Sequence, residues 1–351
     1  MKDKNIANLK AVMLLGIFIS HSFSAMKYIH TPQFIPAELC EQIAGSLTFC
    51  LGAFFCISGY FVSLSENSWN GYLAFLRKKV KTLLIPYFLW NVIYIAAYLI
   101  GGAFLPIMHE KCVQLSLYSI SGILDTLFGI THNPGDGPLW YIRNLFFCIL
   151  LYPMLRCLLK GKSRIWIIAV IAVGLGLIQP YLPSWSLDHF RSYILPSFCL
   201  GVYLRENDYS LHIFDSHGIF IAILFIFSYA VIFSPVLRSW YLPEWILERK
   251  LIYLPLLPCW LYLSQFLNFP SDSVADYYLV RPAFFIYASH ALLGTMILRI
   301  AALYIPESPF QLFVLIGLYI VGGSCLILCS DIFLRRFFPK LYRILNGGRN
   351  G

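Results

Sequence analysis

The chain has 351 residues, of which 59% are hydrophobic and only 12% charged. Soluble domains carry about twice that charged fraction, so a chain this long cannot cover a water-facing surface, and lipid is the solvent that suits it. The net charge of +9 would fit a nucleic-acid partner. The basic residues, however, lie mostly in short segments between apolar runs, where they orient a membrane protein, and nucleic acid is set aside.

Apolar runs of about twenty residues, the length that crosses a bilayer, recur between charged or Pro/Gly-marked breaks. They predict an all-α, polytopic integral membrane protein of about ten transmembrane helices. The spans fall near 6–25, 43–64, 83–105, 138–157, 164–180, 190–204, 217–237, 249–268, 282–303 and 309–333, with Pro180, Pro183 and Pro196 interrupting the fifth and sixth. Lys2 and Lys4 ahead of the first run, with Phe23-Ser24-Ala25 after it, weakly resemble a signal peptide. Cleavage is rejected, because His21 breaks the run and the chain needs a first span to set its orientation.

With the N-terminus inside, Lys2, Lys4, Lys10, the Arg77–Lys81 run, the Arg156–Arg164 segment, Arg205, Arg281 and the tail from Arg335 share the inner side. Both termini are therefore expected in the cytoplasm. The longest break, 105–137, is short for a soluble domain and has room for a re-entrant or interfacial helix. Residues 1–351 read as a single membrane domain with no appended soluble domain. Most of the 10 cysteines sit in or beside apolar runs, as small buried hydrophobes do. Cys40 and Cys112 fall in outer segments, and one disulfide between them stays open.

Ionisable residues inside spans are costly and mark candidate sites. In the first span Lys10 and His21 are eleven residues apart, which puts them on nearly one helix face, roughly 16 Å apart along the axis. Lys10 could hold an anionic ligand at the mouth while His21 acts deeper as a general base on a hydroxyl. Alternatively, Lys10 is one more inner charge and His21 a packing histidine. Ser58-Gly59 in the second span allows close helix approach. The basic loop Arg77-Lys78-Lys79-Val80-Lys81 is a topology signal that could also hold phosphates. Arg143, just inside the span opened by Trp140, either snorkels to the interface or steadies substrate and developing negative charge. His290 either forms a second polar wall of a cavity or makes a hydrogen-bonded helix contact.

In this order and spacing the segments resemble the acyltransferase-3 family of integral membrane O-acyltransferases. The first span of that family carries Arg or Lys, ten residues, then His, as Lys10 and His21 do. Phe54-Phe55-Cys56-Ile57-Ser58-Gly59-Tyr60 fits its Phe-Phe-x-x-Ser-Gly-Tyr/Phe stretch, and Arg77 to Pro86 its basic-to-proline run. Leu139-Trp140-Tyr141 and Tyr287 to His290 resemble two later segments. Lys10 stands where Arg is commoner, keeping the charge but losing the bidentate fork. Asn5 and Asn8 stand where an acid usually precedes it.

The resemblance implies transfer of an acetyl or other short acyl group from acyl-CoA to a hydroxyl of a cell-envelope sugar or polysaccharide precursor. Acetyl-CoA would be a co-substrate, with no permanently bound cofactor and no metal required. His21 would be the catalytic base. Lys10, Arg77, Lys78 and Lys81 would bind the donor, and Arg143, Trp140 and His290 the acceptor or oxyanion. Partners would be the acyl-CoA donor, the envelope carbohydrate and the lipid bilayer of the bacterial inner membrane, crossed many times. No Ser-His-Asp triad is evident, which favours direct transfer over an acyl-Ser intermediate. The alternative is a transporter or flippase of envelope glycans, for which inverted repeats and paired broken helices would speak. A membrane scaffold would not need His21, Arg143 and His290 within spans.

Overall fold

A computed structural model describes residues 4–25, 43–62, 68–178, 181, 191–233, 253–305 and 311–349. Every regular element among the described residues is helical. Six helices are long and apolar enough to cross a membrane: Lys4–Phe23, Ile43–Tyr60, Trp69–Gly102, Gly137–Leu159, Ala283–Ala301 and Phe313–Phe337. They fall on six of the ten expected spans. The other four contain shorter helices, and residues 179–180 and 234–252, beside three of these, lie outside the described residues, as does Cys40. The chain divides into two compact units, Met1–Lys10 with Phe49–Lys79 and Arg143–Pro270, and Ala11–Thr48 with Val80–Ile142 and Ser271–Gly351.

The first unit holds α2 (Leu51–Tyr60), α3 (Trp69–Lys79), most of α7 (Trp140–Leu159), α8 (Trp166–Ile178), α9 (Ile194–Glu206), α10 (Gly218–Phe233) and α11 (Tyr253–Leu263). At 13 residues α9 is only about 20 Å long. It is nevertheless the unit's central element, buried along most of its length, and it packs closely on α2. Two glycines permit this. A Cβ on Gly59 would strike the Phe198 carbonyl, and a Cβ on Gly201 would strike the Cys56 carbonyl. With no hydrophobic effect between helices in lipid, such backbone approach is how they gain contact energy.

A polar cluster closes the ends of α7 and α9. Tyr152 Oη donates to Glu206 Oε1 at 3.1 Å and Arg156 Nε to Glu206 Oε2 at 3.0 Å. The Gly161 amide donates to Asn207 Oδ1 at 2.7 Å, and Asn207 Nδ2 to the Leu159 carbonyl at 2.9 Å. The last carbonyl of one helix is thereby satisfied by the residue that ends the other.

The second unit holds most of α1 (Lys4–Ala25), then α4 (Ile85–Gly102), α5 (Pro106–Gln114), α6 (Ile120–Phe128), α12 (Ala283–Tyr304), α13 (Gln311–Gly317), α14 (Gly323–Phe337) and α15 (Pro339–Leu345). The expected interfacial stretch 105–137 forms two short helices. Pro106 starts α5, which folds back on α4 where Gly102 leaves room for Cys112, whose Sγ donates to the Tyr98 carbonyl. Ser119 caps α6 by accepting the Gly122 amide, and Gly129 ends it at φ 65.

The segment expected as a basic loop is instead helical. Trp69–Gly102 runs unbroken, with a π-helical turn at Val80–Leu84 between α3 and α4. The reason is Pro86. It has no N–H to give the Thr82 carbonyl four residues back, so the ladder widens there rather than ending. Thr82 finds another donor, Arg349 Nη1 at 3.3 Å. The basic tail docks on this unit in other ways. Trp90 Nε1 donates to the Leu345 carbonyl at 3.2 Å. Fully buried Asp331 accepts from Tyr342 Oη at 2.8 Å and pairs with Arg335.

Candidate functional site

Two residues singled out from opposite ends of the sequence meet in the second unit. The His21 ring on α1 lies 5.1 Å from the His290 ring on α12, tilted by 52°. Phe18, one turn before His21, sits edge-on to His290 at 6.0 Å and against Tyr319 at 5.0 Å. His21 is half-buried, while His290 is fully buried.

Hydrogen bonding sets the state of His290. Its Nδ1 lies 2.7 Å from the Tyr287 carbonyl and 3.2 Å from the Ile286 carbonyl. Carbonyls only accept, so Nδ1 carries the hydrogen and Nε2 the lone pair in the neutral ring. Nε2 has no hydrogen-bond partner among the described residues. The same holds for the hydroxyl of Tyr319, whose ring fills the notch at Gly294, one turn along α12 from His290. Tyr319 stands in a second π-helical turn, Leu318–Gly322. Such turns concentrate at functional sites because they re-aim one side chain without ending the helix.

The Gly-Pro-Leu-Trp-Tyr segment forms a 3₁₀ turn, Gly137–Leu139, that opens α7. Tyr287 Oη donates to the Pro138 carbonyl, and the Tyr141 ring lies 6.0 Å from that of Tyr287. Trp140 is buried beside them in sequence. The residue just before this turn is Asp136, which the sequence reading passed over as part of a break. It is 1% exposed. It occupies the cap position of the turn yet makes no side-chain cap bond. Neither carboxyl oxygen has a partner among the described residues. Burial pushes its carboxyl well above the usual carboxylate range. The signal was an acid between Gly135 and Gly137 at the lip of an apolar run, where a charge is expensive.

The remaining candidates divide between the units. In the first, Lys10 Nζ sits over the Phe61 ring, 5.3 Å from its centroid. Arg205 of α9 sits over the adjacent Tyr60 at 5.8 Å. Asn8, at the position where the resemblance leads one to expect an acid, donates from Nδ2 to the Leu267 carbonyl at 3.0 Å. Arg77 and Lys78 are exposed in the last turn of α3, Arg143 is buried near the start of α7, and Ser58 is half-buried beside Gly59. Lys81 is exposed in the π-helical turn, which belongs to the second unit. Lys10 and His21 share the continuous helix α1, eleven residues apart as expected.

His290, the Tyr319 hydroxyl and the Asp136 carboxyl are buried with polar atoms that lack partners among the described residues, and half-buried His21 lies beside His290. Such groups stay unpaired inside a protein only at a cost, and they suit a site that completes its bonds when a ligand arrives. A neutral imidazole with a free nitrogen can take a proton from a hydroxyl.

The known proteins that this chain resembles bear on that chemistry. ExoH, a succinoglycan biosynthesis protein of Rhizobium meliloti (strain 1021), is 24% identical over 177 residues, 47% of this chain. The aligned stretch spans only 42% of that relative's length. No solved structure matches the chain. The profile of the acyltransferase-3 family, an acyltransferase domain, matches residues 3–329. The match covers nearly the whole chain and includes both histidines of the buried pair, and the protein belongs to the acyltransferase-3 family.

Proposed function

We propose that this protein is a membrane O-acyltransferase that moves an acetyl or other short acyl group from acyl-CoA to a hydroxyl of a cell-envelope sugar or polysaccharide precursor. The family assignment supports acyl transfer, and the similarity to ExoH, a succinoglycan biosynthesis protein, suggests a polysaccharide acceptor. The observation that carries the reading is the His21–His290 pair at 5.1 Å. The protein works in a bacterial inner membrane with both termini in the cytoplasm, as one domain of about ten spans.

The acyl-CoA phosphates are held at the cytoplasmic side by Lys10 and by Arg77, Lys78 and Lys81. The thioester end reaches along α1 toward His21. His21 takes the proton of the acceptor hydroxyl as its oxygen attacks the thioester carbonyl carbon. The C–O bond forms, the carbonyl electron pair moves to oxygen, and collapse breaks the C–S bond. The CoA sulfur leaves with the proton His21 removed, so no net proton is gained or lost. His290, its Nδ1 tied to backbone, orients this exchange. Arg143 and Trp140 engage the acceptor.

Mass spectrometry of the surface polysaccharide from cells with and without the protein tests the reading. Loss of a short acyl group supports it, and an unchanged polysaccharide that is instead retained inside the cell favours a flippase. Lys10→Ala is expected to weaken acyl-CoA binding about tenfold, the worth of one charge-assisted contact, with Lys10→Arg near normal. Titration of the purified variants with acyl-CoA checks this, and unchanged affinity removes Lys10 from donor binding.

A further inference from the structure

We propose that Asp136 and Tyr319 form the oxyanion-binding pair of this site, meeting the acyl carbonyl oxygen opposite the histidines. The proposal rests on the acyl-transfer reading above. It begins with the turn that presents Asp136. The Gly135 amide donates to the Thr126 carbonyl at 2.9 Å, and the Asp136 amide to Asn91 Oδ1 at 3.2 Å. Asn91 is itself fully buried and anchored from Nδ2 to the Tyr87 carbonyl at 3.0 Å. A Cβ at Gly135 would lie 2.5 Å from the Thr126 methyl and 2.9 Å from the Tyr94 ring. The backbone is thus pinned on both sides of a carboxyl that caps nothing.

An acid at a helix cap ordinarily accepts the first backbone amides. Asp136 makes no such bond, and both its oxygens are buried without a partner among the described residues. A structural acid would have been given donors. Its surroundings point to the histidine pair. Asp136 lies within electrostatic reach of Tyr94, Tyr287 and Tyr319, and the Tyr287 ring lies 6.2 Å from that of His290. Tyr287 gives its hydroxyl to the Pro138 carbonyl. Tyr319 alone of the last two keeps an unpartnered buried hydroxyl among the described residues. Its ring is wedged at Gly294 and against Phe18, which also touches His290.

Two neutral O–H donors buried away from water are suited to one task above others. A protonated carboxyl beside a tyrosine is an effective way to hold an oxyanion, because both donors strengthen as charge develops and neither carries a charge that must first be desolvated. As the acceptor oxygen attacks, Asp136 and Tyr319 donate to the former carbonyl oxygen. Both keep their protons, and the bonds weaken again when the C–S bond breaks.

The test uses the full-length purified protein and separates function from folding. Asp136→Leu removes the donor and should lower kcat roughly 100-fold or more. Asp136→Asn keeps an N–H donor of similar shape and should stay within about tenfold of the parent. Both variants should melt no lower than the parent, since each removes an unpaired buried acid. Tyr319→Phe should also lower kcat, and the double variant should lose less than the product of the two single losses. Normal turnover in Asp136→Leu, equal loss in the Leu and Asn variants, or additive losses in the double variant would each overturn the pairing. An infrared difference spectrum between the parent and Asp136→Asn should show a protonated carboxyl band at neutral pH, and its absence also overturns the proposal. That arm needs no substrate. A parent unable to use any acyl-CoA, with the carboxyl band present, would defeat the functional reading, whereas an active parent without the band would defeat the pairing alone.

Discussion

His21→Ala lowers kcat by roughly 10²–10⁴-fold and leaves the affinity for acyl-CoA close to that of the parent. The split follows from position. His21 sits eleven residues from Lys10, about three helical turns, so a donor held through its phosphates keeps those contacts when the imidazole is lost. On the proposed mechanism, what disappears is the base that takes the hydroxyl proton. The fold should survive, because His21 is only half-buried and no described residue hydrogen-bonds to it. His290→Ala should cost less in turnover and more in stability. It is fully buried, and its Nδ1–H serves backbone carbonyls. Steady-state kinetics on purified variants, with melting curves alongside, separate these effects. Turnover near that of the parent in a folded His21→Ala protein would remove His21 from the chemistry and reduce the ring pair to packing.

The second large effect is on stability and lies in the other unit. Gly201→Ala should destabilise the protein by about 3 kcal/mol. A Cβ there would collide with the Cys56 carbonyl and lie 2.7 Å from the Tyr60 amide nitrogen, both of them backbone. Backbone cannot rotate aside as a side chain does, so α2 and α9 must part along their whole contact. The pair is the unit's main packing surface, and Tyr60 and Phe61 at the end of α2 carry the Arg205 and Lys10 cations. The variant should melt well below the parent in detergent and bind acyl-CoA more weakly, whereas Ala at solvent- or lipid-facing Gly174 should do neither. If Gly201→Ala melts with the parent, α2 and α9 are not held by backbone approach.

Much of the architecture could be read from apolar runs because length and hydropathy alone decide whether a helix suits lipid. Six of the runs contain such helices. The short helix α9 lies within the sixth run, where composition alone does not separate a buried interior helix from a membrane span. The basic stretch at Arg77–Lys81 looked like a loop because charge and a nearby proline usually end a helix. The widened turn at Val80–Leu84 is one that periodicity does not anticipate.

The site was legible in pieces. His21 and His290 stood out as ionisable groups in apolar runs, but their contact joins positions 269 residues apart in the chain, which no local pattern encodes. Asp136 and Tyr319 were missed for opposite reasons. The acid lies among turn residues, where acids are common, and the tyrosine among many in the chain. Only burial without partners distinguishes them.

The π-helical turn at Leu318–Gly322 has a consequence for how this segment tolerates change. A widened turn is one residue of surplus length, and removing one residue restores an ordinary helix. Because the wide turn absorbs that residue, the helix beyond the deletion would keep its phase relative to α13, and only the local aim of the turn would be lost. Tyr319 would leave its notch at Gly294, while Asp331 and Tyr342, both beyond the turn, would keep their bond. Val321, by contrast, is 65% exposed and should accept many replacements. A one-residue deletion here should therefore leave melting close to that of the parent while displacing Tyr319.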